Sequence, residues 1–277
     1  MKIRVLAAVL VVTGFTFSRG AQAGFDFLPE NRHHLFQSYG LFNEPQTEAY
    51  WRTPRHAWGA MGSTMALLEA PDWAWHPQLI VHAKADAAFR FNAKYNTILT
   101  ETIDARVGLF FDFRVRPDLR FFFGWTHLSG HAGDDINDTS LSGPNLGDEI
   151  LMLRVVHDCD EHWRVGGTFK PIIGSEPKMK ILAADQFVEW FPWGQASEVS
   201  HASPYVALGG EEMGVDHLMF NTHAQLGVLF GNHFREAHHT SLRAVAGYYR
   251  GMDQRLKYAQ FNLARAEWGY VGIAADL

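Results

Sequence analysis

From Leu79 to Phe91 the odd positions read Leu79, Val81, Ala83, Ala85, Ala87, Phe89 and Phe91, with His82, Lys84, Asp86 and Arg90 between them. The same period of two returns from Ile103 to Val115, where Asp104, Arg106, Asp112 and Arg114 interleave with Val107, Leu109, Phe111 and Phe113. A third stretch begins at Leu119 and runs through Phe121, Phe123 and Trp125. Alternation at every second residue puts each set on one face of a β-strand. In the third stretch the apolar parity continues into His127 and Ser129, so a His-x-Ser pair stands on the greasy face.

Stretches of this kind recur near 34–42, 57–68, 77–91, 101–115, 118–130, 148–157, 162–173, 181–191, 203–211, 217–230, 240–250 and 264–277, with turn residues between them. The pattern predicts an all-β protein, an antiparallel transmembrane β-barrel in which every second side chain meets lipid. Twelve strands fit best, with ten or fourteen as alternatives. Past residue 23 no apolar run reaches the roughly 18 residues of a membrane-spanning helix. The polar parity carries both signs, with Lys84, Asp86, Arg90, Asp104, Arg106, Asp112, Arg114, Arg154, Arg164 and Lys170. Mixed charge at that density predicts a lumen filled by paired residues, since an unpartnered interior charge is costly. A secreted β-sandwich accounts for the alternation as well, but leaves so many charges on one face unexplained.

Residues 1–23 read as a secretory signal: Lys2 and Arg4, an apolar stretch, then Ala21-Gln22-Ala23. Residues 24–55 form a polar N-terminal segment expected in the periplasm, with room for the first strand, and 56–277 form the barrel. Without Lys2, Arg4 and Arg19 the balance is 21 basic against 30 acidic residues, a net charge of −9. That balance argues against nucleic acid as a partner. The expected setting is the outer membrane of a Gram-negative bacterium, with outer-membrane lipids and the barrel-assembly machinery as partners. The end Ala274-Ala275-Asp276-Leu277 keeps an apolar last residue but lacks the aromatic one usual in such barrels. The single Cys159 has no partner for an internal disulfide.

Connection lengths predict the orientation, because periplasmic turns are short and extracellular loops long. Arg116-Pro117-Asp118 and 158–161 are short, whereas 130–147 is long and rich in Gly, Asp, Asn and Ser. Strand 118–130 therefore rises to the outside, and His127 and Ser129 reach outer-leaflet depth. Residues i and i+2 of a strand share a face, so His127 is placed to deprotonate Ser129, the base-and-nucleophile arrangement of acyl transfer. Glu149, in the outward parity of Leu151, Leu153 and Val155, is the first candidate to orient the imidazole. Asp134 and Asp148 come second, and N–H groups of Gly130 or Gly133 are candidates for an oxyanion hole. The competing reading makes His127 and Ser129 ordinary half-wet interface residues. A metal is a further candidate: His131 with Asp134 and Asp135 offers imidazole and hard oxygens, and calcium is the first ion to consider.

The His127-Leu128-Ser129 element on an outward strand resembles that of the outer-membrane phospholipase A and lipid A deacylase families. Those families carry His and Ser two apart, with Asn or Glu as third member. The resemblance implies His127 as base, Ser129 as nucleophile and Glu149 as orienter. Both families continue with Asn where this chain has Gly130. A broader likeness runs through Leu35-Phe36-Gln37, Asn43-Glu44-Pro45, His127 to His131 and Gly147 to Leu151. It resembles an uncharacterised outer-membrane barrel family with an H-x-S-S-H-x-G-D-E-like segment, and implies a barrel with no assigned activity. Three functions follow: a structural or lipid-interacting barrel, a membrane-embedded serine acyl hydrolase, and a small-solute channel.

Overall fold

A computed structural model describes residues 24–29, 38–39, 41, 44, 46–53, 56–92, 96–133, 146–176, 183–195, 202–213, 219–230, 241–253 and 265–276. Among them run the strands β1 (Asp26–Phe27), β2 (Thr47–Arg52), β3 (His56–Glu69), β4 (Gln78–Asn92), β5 (Thr97–Arg116), β6 (Leu119–Ala132) and β7 (Leu146–Asp158). They are followed by β8 (Trp163–Lys170), β9 (Ile172–Glu176), β10 (Ala183–Trp190), β11 (Ala202–Met213), β12 (Met219–Phe230), β13 (Ser241–Met252) and β14 (Arg265–Asp276). Every pairing is antiparallel, and β14 returns to β2 while β3 pairs with β4, which closes the ring. Twelve strands make the barrel wall. The other two are β1, which pairs with the end of β3, and β9. Closure gives each of the twelve wall strands a partner on both sides, as a bilayer requires of a sheet that crosses it.

β8 and β9 follow one another on the flank of β7, separated by Pro171. Proline has no N–H for the ladder, and the register shifts between Glu149 and Ile150 at that point. The first barrel strand also differs from expectation. Thr47–Arg52 takes that place, and the described residues 38, 39 and 41 lie outside any strand. They are buried inside the ring instead. The Ser38 hydroxyl and the Tyr39 N–H both donate to Glu189 Oε1, at 3.0 and 2.6 Å. Tyr39 packs on Phe191 and Tyr205, and Arg154 grips Glu44 at 2.6 Å. Ser38, Tyr39, Leu41 and Glu44 thus fill part of the lumen.

The two parities separate as the sequence predicts. Ile103, Val107, Leu109, Phe111 and Phe123 face outward, while Asp104, Phe110, Asp112 and Phe122 are buried inside. Inside, charge meets charge: Lys84 with Glu48 at 2.9 Å, Lys170 with Asp185 at 2.5 Å and Glu211 at 2.9 Å, Arg164 with Glu189 at 3.4 Å. Arg90 and Arg114, toward opposite ends, are exposed. Phe110 and Phe122 stack with ring centroids 4.3 Å apart. Gly124 makes room for them, since a Cβ there would collide with Phe110 and with the Leu109 carbonyl.

Candidate active site

β6 is the strand that places the candidate chemistry. Its residues Phe122, Thr126 and Leu128 are buried in the lumen, so Trp125, His127, Ser129 and His131 project from the outer wall. On one side His127 faces Glu149 of β7, Ser129 faces Gly147 and Trp125 faces Leu151. On the other side, Val107, Ala105 and Ile103 of β5 oppose His127, Ser129 and His131. Ser129 therefore stands between an alanine and a glycine, with low walls on both flanks.

His127 Nδ1 lies 2.9 Å from Glu149 Oε1. A carboxylate can only accept, so the Nδ1–H donates and the neutral ring keeps Nε2 as its basic lone pair. The other carboxylate oxygen accepts from the Trp125 indole N–H, at 2.7 Å. The His127 and Glu149 side chains remain 37% and 40% exposed, open to whatever covers the wall. Gly174 of β9 opposes Glu149 across the sheet. A Cβ on Gly174 would come within 3.3 Å of Glu149 Cγ, so the glycine leaves the carboxylate its seat.

Among the described residues no hydrogen bond joins His127 to the Ser129 hydroxyl. The two residues share the outer face, roughly 6.6 Å apart along the strand from the rise per residue. Base-to-nucleophile hydrogen bonds are often long before substrate is present and tighten in the complex. The His127–Glu149 contact is made, and Ser129 sits next along the same face.

The other candidates separate clearly. Asp148 is buried in the lumen, where it accepts a 2.6 Å hydrogen bond from Ser175, so it does not reach His127. The Gly133 N–H donates to the Glu101 carbonyl at 2.8 Å and Gly130 sits in the ladder between β5 and β7. Neither offers the oxyanion hole expected of it. Of the metal candidates, His131 stands on the outer wall opposite Ile103, while Asp134 and Asp135 lie outside the described residues. Among the described residues no three or more His, Cys, Asp or Glu gather to hold an ion. Two residues of the site were not singled out from sequence. Trp125 shares the parity of His127 and was legible there; Gly174 depends on the register of β9 and left no signal.

These features define the class: a closed, twelve-stranded antiparallel barrel of the outer-membrane type with a polar cluster on its apolar outer wall. No family model matches the chain, and no curated protein sequence matches it either. Solved structures do. The chain is similar to outer membrane phospholipase A from Escherichia coli at 12% identity and a TM-score of 0.51, covering 87% of this chain and 94% of that one. An active-site mutant of the same enzyme aligns at 11% identity and a TM-score of 0.52, over 89% and 96%. The Salmonella typhi outer membrane phospholipase dimer with bound calcium aligns at 12% and 0.50, over 90% and 98%. At this identity the likeness is one of fold.

Proposed function

We propose that this protein is an outer-membrane serine acyl hydrolase acting on lipids of the outer leaflet. The end reached by β6 faces outward from the cell. Ser129 Oγ attacks the carbonyl carbon of a lipid ester as His127 Nε2 takes its proton. The C–O bond to the alcohol then breaks, and the imidazolium returns the proton to the leaving alkoxide. Water, deprotonated by the same nitrogen, then attacks the acyl-Ser129 carbonyl; the C–Oγ bond breaks, the imidazolium returns its proton to Ser129 Oγ, and the fatty acid is released. Glu149 holds the ring in the required tautomer and stabilises the imidazolium as it forms.

The observation that carries this reading is the 2.9 Å His127–Glu149 contact on the outer wall, with Ser129 next along the same face. A merely structural His and Ser need no carboxylate in register. The wall position suits a substrate that never leaves the membrane, and the fold likeness to barrels whose names state phospholipase activity is consistent with it. A channel is disfavoured by the paired charges and by Tyr39 and Glu44 inside the ring.

Calcium is the ion to test, because one barrel of this fold carries it. His131 supplies a nitrogen where calcium takes oxygens, so a site would rest on Asp134 and Asp135, and none of the steps above requires the ion. The test is fatty-acid release from phospholipid and from lipopolysaccharide by detergent-refolded protein, with added calcium and with chelator. Release that disappears in Ser129→Ala supports the hydrolase. Silence on both substrates from a folded protein leaves a non-catalytic barrel.

A further inference from the structure

We propose that Trp125 is a positioning residue of this site, whose indole N–H fixes the Glu149 carboxylate so that its other oxygen meets His127. The proposal rests on the hydrolase reading above. A glutamate side chain has three rotatable bonds and sits here on a wall that lipid would cover. With one donor, on His127, the carboxylate could pivot about that bond. With two donors on two different oxygens, it cannot. Trp125 supplies the second at 2.7 Å, and it does so diagonally, because its direct partner across the ladder is Leu151. Diagonal neighbours lie within the reach of an aromatic side chain.

The chemistry of the donor suits the task. An indole N–H donates only, so it neutralises part of the carboxylate's demand without competing for the proton that His127 moves. Tryptophans on barrel walls ordinarily anchor the protein at the membrane interface, with the N–H turned toward the wet side. Trp125 instead turns its N–H onto a carboxylate of the adjacent strand. Gly174 completes the seat from the far side, where any side chain would press on Glu149.

The experiment uses full-length protein in detergent, with lipid-ester hydrolysis and a labelled indole as separate readouts. Trp125→Phe keeps the ring and removes the N–H, and should lower kcat by about 10- to 100-fold with KM unchanged. In a Glu149→Ala background the same substitution should cost nothing further, because the bond it removes is already gone. In protein labelled with 15N-tryptophan, the indole signal that vanishes in Trp125→Phe should move toward the free-indole position in Glu149→Ala. An equal kcat loss in both backgrounds, or an indole signal that stays put, overturns the proposal. If the signal moves but wild-type protein releases no fatty acid, the contact is real and the hydrolase reading fails, taking the positioning role with it.

Discussion

Lys84 and Glu48 meet inside the barrel at 2.9 Å with both side chains essentially buried; His127 and Glu149 meet on its outer wall at the same 2.9 Å with more than a third of each exposed. Equal distances hide different physics. Inside, each charge has left water, so parting the pair strands an ion in a low dielectric. On the wall the pair is half-open, and rearranging it around a substrate costs far less. The lumen pairs also join distant stretches of chain, as Arg154 does with Glu44. The wall pair joins neighbouring strands in direct register. One set of charges ties the ring together, and the other stands half-open on the outer wall.

Substitutions should keep these two roles apart. The largest effect falls on the wall: Ser129→Ala should reduce lipid-ester hydrolysis by about 10⁶-fold, with the thermal unfolding midpoint in detergent unchanged. Arg154→Ala comes next and acts the other way. It strips the buried Glu44 of the cation that holds it at 2.6 Å, while Asp185 keeps Lys170, and should destabilise the fold by about 3–5 kcal/mol. That loss is readable in denaturant unfolding, with hydrolysis near normal wherever the protein stays folded. Glu149→Gln keeps the shape of the orienter but not its charge, and should lower kcat by about 10- to 100-fold with little change in unfolding. Asp148→Asn is the smallest. It is the next residue along β7 but faces the lumen, so hydrolysis should stay within about twofold of wild type. A large loss of activity there would erase the distinction between the two faces.

Period-two alternation made the barrel and its two faces legible, because a closed sheet in lipid forces each strand to choose sides. The same parity singled out Glu149 over Asp148, adjacent carboxylates that end on opposite sides of the wall. Trp125 was within reach of that logic, since only its diagonal step to Glu149 needed the register. The first barrel strand was not. Thr47–Arg52 is short, and its inward Glu48 and Arg52 made it resemble the polar segment before it. The break at Pro171 was also hidden, because a bulged strand and a straight one alternate alike on either side of it. Partners such as Arg154 and Glu44 are more than a hundred residues apart, and no local pattern pairs them. The same holds for the passage of Tyr39 into the lumen, which depends on Glu189 at the far side of the chain.

The most direct test of the central claim is covalent labelling of refolded protein with a long-chain alkyl fluorophosphonate, followed by peptide mass mapping. Such a reagent reacts with a serine only when a base activates it. A single adduct is expected on Ser129 in wild-type protein, lost in His127→Ala and slowed in Glu149→Gln. An unlabelled Ser129 in folded wild-type protein, or labelling that persists without His127, would contradict it.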